Sequence, residues 1–156
     1  MPVINLERIV YLTELTGLKV YGPDGERIGR VVEAAVAPGE HPRRVTRYLV
    51  GDGGRTRFLV RHDQVRSISL DGLVLSDDLL TPYRRDESLL LLCKDVLDQQ
   101  IIDANGRKVV RVTDMTLTIE TAGERQELWV LEVDVGVRGA FRRLLEGVVP
   151  PAVMAA

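Results

Sequence analysis

Four groups of residues in this chain have the types and spacing to do chemistry. His62 and Asp63 are adjacent, and a carboxylate beside an imidazole can orient and charge it for proton transfer. No motif places a nucleophile near them, so the pair reads as a polar turn or helix cap. Cys93 follows the run Leu89 to Leu92, a setting in which a thiol behaves as a small buried hydrophobe and not as a nucleophile. Asp95, Asp98 and Asp103 carry the carboxylate oxygens that a hard divalent cation prefers, which makes them weak metal candidates. Aspartate around a helix-to-strand junction is also the expected cap and turn residue, and the reading adopted is no catalytic site, no metal and no cofactor. Arg43, Arg44, Arg47, Arg55, Arg57 and Arg61 would form one strip, because alternate residues of paired strands share a face. RNA readers add exposed aromatics for base stacking, whereas Tyr48 and Phe58 stand in strands where burial is the simpler fate.

Composition narrows the field. The chain has 156 residues, enough for one ordinary domain or two very small ones. Its 21 basic and 23 acidic residues leave a net charge of −2, which removes the attraction that general DNA, RNA and anionic-membrane binders rely on. One cysteine forms no internal disulfide, and with two histidines it leaves too few soft ligands for zinc. A reduced, cytoplasmic setting fits. The run from Leu89 to Cys93 falls far short of the roughly 18 apolar residues of a spanning helix, and Met1 to Arg8 lacks the basic and apolar regions of a secretory signal.

The elements that would position these residues come in two related sets. Val20 to Val31 aligns with Ile101 to Val112 at a constant offset of 81, and the match continues through Glu33 against Asp114 and Val36 against Leu117. Each copy has an apolar pair, a turn ending Asp24-Gly25 or Asn105-Gly106, and a β-branched run, the pattern of a β-hairpin. Gly25 and Gly106 supply positive φ and are the structural residues of the turns. After the second turn Val109, Met115, Leu117 and Ile119 fall on one face at period two, interrupted by Arg111 and Thr113, while Val110 and Val112 point oppositely. The strand is therefore partly covered on both faces, and a later strand, Leu128 to Val135, pairs with it after the turn at Ala122 and Gly123. Further turns at Asp52-Gly53-Gly54 and Asp71-Gly72 complete a small SH3-like barrel in the first half. Ser76 to Glu87 reads as a linker, Ser88 as the cap of a short helix through Asp95, and Gly136 to Glu146 as an amphipathic helix whose Phe141, Leu144 and Leu145 form an interaction face. Leu6 to Leu12 suits a helix capped by Asn5 or a strand. The expected units are 1–78 and 79–147, followed by a tail or linker, 148–156.

Gly25 to Val31 with the strand that follows resembles the PRC-barrel family, which also occurs in ribosome-maturation factors of the RimM kind. In the second half Asp95 to Asp103, Gly106 to Asp114 and Val133 to Gly139 resemble the second PRC-like unit of bacterial proteins related to MgtE-type magnesium transporters. The resemblance implies an all-β chain of two tandem small PRC-barrel units with short helices at the linker and C-terminus. It implies structural roles for Asp114 and Asp134 in fixing backbone amides or an arginine such as Arg111 or Arg138. It also implies a non-enzymatic regulatory or adaptor module of a cytoplasmic protein. The partners implied are proteins: downstream MgtE-type or CBS domains and a second copy in a homodimer. A ribosome-associated RNA-binding barrel is the alternative from another class.

Overall fold

The computed structural model describes residues 8–102, 109–137 and 140–144. The first described elements are β1 (Ile9–Tyr11) and one helical turn, α1 (Leu12–Leu15), so Ile9 to Tyr11 takes the strand alternative and the helical turn begins only at Leu12. Ile9, Val10 and Tyr11 favour a strand, and the Glu14 carboxylate then accepts the Tyr11 amide at 3.0 Å and starts the turn. Gly22 to Gly25 next reverses the chain between β2 (Lys19–Tyr21) and β3 (Arg27–Val36), with Gly25 at φ +86°, a region β-branched residues resist. A meander follows through β4 (Val45–Gly51) and β5 (Arg57–Arg61), then a 3₁₀ turn at His62–Gln64. The hairpin of β6 (Val65–Ser69) and β7 (Gly72–Leu75) folds back so that β7 pairs in parallel with β2, Val20 opposite Leu73. Within the expected linker, β8 (Thr81–Pro82) pairs with β5.

The second half begins with a similar hairpin. After β9 (Leu90–Leu91) and a π-type turn, Leu92–Val96, come β10 (Gln100–Ile102), β11 (Val109–Ala122), β12 (Arg125–Val137) and β13 (Ala140–Leu144). The hairpin registers coincide at the offset of 81 over two pairs, Lys19 with Arg30 and Val20 with Gly29 against Gln100 with Arg111 and Ile101 with Val110. They part at the third, where a bulge sets Tyr21 opposite Arg27 while Ile102 stays opposite Val109. The approach to each hairpin coincides too. Gly17, at φ +99°, donates to Val31 O at 2.7 Å, and Asp98, at φ +64°, donates to Val112 O at 2.8 Å. Aspartate is among the few residues that tolerate this left-handed conformation. One irregularity on the long strands also matches, with a β-bulge between Val31 and Glu33 and another between Val112 and Asp114.

The halves exchange their leading segments. β1 pairs with β11, Val10 opposite Leu117, and β9 pairs with β3, Leu91 opposite Ala35. A bulge re-aims the residue that follows it, and here it aims a carboxylate at the helical turn from the other half. Glu33 accepts the amides of Cys93 at 2.8 Å and Lys94 at 3.0 Å; Asp114 accepts the amide of Thr13 at 3.2 Å and its hydroxyl at 2.6 Å. These are first-turn N–H groups with no partner inside their own turn. One apolar core results, in which Val10, Leu12 and Leu15 join Val31, Tyr48 and Leu73 to Val112, Leu117 and Leu128.

Three local expectations are corrected. Gly136 to Glu146 is not a helix through its described part: β12 runs to Val137 and β13 pairs with it, Gly136 opposite Phe141 and Val133 opposite Leu144. Ala140 to Leu144 has good helix formers, but the free edge of β12 offers ladder bonds that outweigh propensity. The hairpin also repeats that of β4 and β5. The Ser88 cap is absent too, since its hydroxyl donates to Asp86 at 2.6 Å and the chain stays extended to pair with β3 before turning at Leu92. On β11 the bulge breaks the single-face pattern: Val109 is exposed, and Val110 and Val112 are buried with Met115, Leu117 and Ile119. Gly106, Asn5, Leu145 and the tail 148–156 lie outside the described residues.

Glu33 is buried and also accepts the Ala34 amide at 3.0 Å, whereas the Asp114 contacts to Thr13 are exposed. Glu33→Ala should therefore cost roughly 2 kcal/mol in urea denaturation and Asp114→Ala about 1 kcal/mol. A Glu33→Ala midpoint equal to that of the wild-type chain would show that the cap does not hold the exchange.

Candidate functional site

The residues leading into β4 meet the first half of β12 in a polar cluster. Arg43 O accepts the Val130 amide at 2.7 Å, the Arg43 guanidinium donates to Val130 O at 3.0 Å, and Arg44 and Trp129 form an antiparallel bridge. His41 supports this corner by accepting the amides of Arg43 and Arg44 at Nδ1, 3.1 and 3.0 Å, while its ring meets the Trp129 ring edge-on with centroids 4.5 Å apart. Glu127 of β12 is buried beside His62 Nδ1 at 3.2 Å and Arg44 Nη1 at 3.8 Å. Nearby, the Gln126 side chain accepts the Ile68 amide at 2.7 Å, tying β12 to β6.

Burial lowers the His62 pKa below its ordinary value and the Arg44 guanidinium adds to the effect, outweighing the opposite pull of Glu127 and Asp63. Asp63 is bonded by Arg61: although burial opposes it, this 2.9 Å bond holds its carboxyl below the usual range. The His62-Asp63 pair is thus divided, His62 to the seam and Asp63 to Arg61. Burial, reinforced by the Glu33 carboxylate, pushes the Cys93 thiol up to about 12, a setting that suppresses the thiolate.

The other candidate residues scatter into local roles. Asp95 accepts the Leu91 amide at 2.8 Å, Asp98 occupies the left-handed turn, and Asp103 lies outside the described residues. Among the described residues no three His, Cys, Asp or Glu side chains gather as a metal site. Asp114 receives the Thr13 and Met115 amides, and Asp134, buried on β12, accepts the Thr116 hydroxyl at 2.9 Å. Phe141 and Leu144 belong to β13. The arginines do not form one free strip: Arg43 and Arg44 hold β12, Arg47 donates to Thr46 O at 3.0 Å, Arg57 to Gly54 O at 2.8 Å, and Arg61 to Asp63. Sequence reasoning missed Glu127 and His41, whose partners are distant in the chain and leave no local signal.

A groove of about 440 Å³ opens beside the exchanged β9, with Tyr83, Leu89 and Leu91 in its lining together with two basic residues, Arg85 and Lys94, and three acidic ones, Asp86, Glu87 and Asp95. Leu89 and Leu91 are half-buried on its floor, and Arg85, Glu87 and Lys94 are exposed. Apolar footing framed by both signs of charge is chemistry for a peptide or helix and not for a small anion. Among the described residues no helix is long and apolar enough to cross a membrane.

The family model described as PRC-barrel domain matches residues 7–85, from the start of β1 to just past β8. No curated protein matches the chain.

The lowered His62 pKa makes stability depend on pH. The folded state binds fewer protons than the unfolded one, so the His62 contribution is complete above the unfolded value of about 6.5 and is lost as pH falls toward and through the folded value. Replacing His62 by Gln should flatten the fall in stability between about pH 7 and 5. Parallel stability curves for the two proteins would remove His62 from the account.

Proposed function

The chain belongs to the PRC-barrel family, and from that premise we propose that it is a non-enzymatic adaptor of a cytoplasmic protein related to MgtE-type magnesium transporters, acting through protein contacts. PRC-barrel domains are in general non-catalytic modules. The observation that carries the reading is the groove beside β9, where half-buried Leu89 and Leu91 lie between exposed Arg85, Glu87 and Lys94. Asp95 in its lining accepts the Leu91 amide, and Glu33 behind it accepts the Cys93 amide, so both carboxylates are engaged in holding backbone. The transporter relation is supported by the motifs from Asp95 to Asp103, Gly106 to Asp114 and Val133 to Gly139, the first of which begins at the groove. In this reading the second half is a further PRC-like unit, and the groove receives an amphipathic element of a downstream helical MgtE-type domain or CBS pair.

Calorimetric titration of the chain with such a helical domain and with a CBS pair tests the proposal. Association at about 100 μM or below is expected, weakened at least about tenfold by Leu89→Asp and by Lys94→Glu. No association with either domain, or binding indifferent to both substitutions, would overturn it.

A further inference from the structure

The outer face of the first sheet carries a row of cations. Lys19 of β2 lies directly opposite Arg30 of β3, Arg30 opposite Gly51 of β4, and Gly51 opposite Arg57 of β5. Directly opposed residues share a face, so Lys19, Arg30 and Arg57 project together, and all three are exposed. Their neighbours Val20, Val31 and Val50 point the other way, into the core. Gly51 leaves a gap in the row that Arg57 leans across: a Cβ there would stand 3.1 Å from Arg57 Nη1 and 3.2 Å from Val32 Cγ1.

Like charges directly opposite one another destabilise a sheet, and the two opposed basic pairs among the described residues are treated differently. Arg47 opposes Arg61, and there Glu40 stands 3.8 Å from Arg47 and Asp63 2.9 Å from Arg61. Lys19 opposes Arg30, and among the described residues no carboxylate pairs with either of them or with Arg57. Arg30 donates to Gly17 O and Arg57 to Gly54 O, both at 2.8 Å, which orients the guanidinium groups and leaves their charge. Asp52, beside Gly51 in the chain, is turned to the Gly54 amide at 2.9 Å.

We propose that this row docks an acidic segment of a partner protein, one that carries glutamate or aspartate at several positions. Charge complementarity selects the occupant, because an external carboxylate relieves the repulsion that the fold leaves standing. Neighbouring strands lie about 4.8 Å apart, so the charges are spaced about 5 Å and about 10 Å along the row. One small anion cannot meet all three, whereas a run of carboxylates can, and guanidinium groups bind carboxylates through paired N–H donors. RNA is the other polyanion, but its readers add exposed stacking rings, and among the described residues no aromatic side chain is exposed. None of the three cations lines the groove beside β9, so the inference does not rest on the transporter partner.

Calorimetric titration of the full chain with poly-L-glutamate tests the row. Association at about 100 μM or below is expected in about 50 mM salt, loosened about tenfold or more in about 300 mM salt. Lys19→Glu with Arg57→Glu should weaken it at least about tenfold, while Arg85→Glu with Lys94→Glu, an equal change of net charge at the groove, should leave it within about twofold. Lys19→Glu alone makes the pair with Arg30 one of opposite charge and should raise the urea midpoint. No association, binding indifferent to salt, equal weakening by the two double variants, or a lowered Lys19→Glu midpoint would overturn the proposal. Polyuridylate or phosphatidylserine vesicles bound more tightly than poly-L-glutamate would also overturn it, and would assign the row to RNA or to a membrane surface.

Discussion

Glu33 and Asp114 each reach out of one half and hold the first turn of the segment that enters the other. The remaining order of the molecule depends on this reciprocal contact. A helical turn of four or five residues is too short to be stable in water without tertiary support. Held by a carboxylate at its start, it fixes where β1 and β9 lie, and each then completes a ladder on the long strand of the opposite half. Leu12, Leu15, Leu92 and Val96 are carried inward by the same turns, so both entering segments contribute to a single core. The β-bulges are the device that makes this possible, since without the extra residue Glu33 and Asp114 would point to the other face of their strands.

This architecture gives the residues with chemical potential structural partners. Cys93 stands at the Glu33 cap, Asp95 closes its own turn, and Arg44, His62 and Glu127 join β12 to the first half. Two seams, the exchanged strands and the charged cluster, leave little freedom between the halves. A rigid body of this kind suits the proposed adaptor role, because a preformed groove costs little ordering when a partner arrives. The groove beside β9 is built on one of the exchanged segments, so occupancy there would be felt by the β3 edge that β9 completes.

Much of the fold was legible where local chemistry decides it. Pro23 and Gly25 announce the first hairpin, and the offset of 81 carries the second. The repeat is lost to a sequence reading beyond that hairpin because β3 and β4 are joined through residues 37–44, whereas β11 turns into β12 through residues 123–124. The offset grows to 85 by the pair Val50 and Val135; the turn at Ala122 and Gly123 and the strand Leu128 to Val135 are legible, and it is β13 that is hidden behind helix-forming residues. The strand exchange pairs Val10 with Leu117, a contact with no local signature. Glu33 against Asp114 was visible as a coincidence of acidic residues, but their job required knowing where Thr13 and Cys93 would be. Within the candidate site the sequence singled out His62 and paired it with its neighbour Asp63, whereas the fold gives it Glu127, 65 positions away.

The central claim is that the two halves are one cooperative body. Trp129 is the sole tryptophan and lies at the seam, so its fluorescence reports on docking of the halves, while far-UV circular dichroism reports on the strands of both. Equilibrium urea unfolding followed by both signals should give one transition with the same midpoint and slope. Two resolved transitions, with the tryptophan signal changing while most of the strand signal persists, would contradict the account.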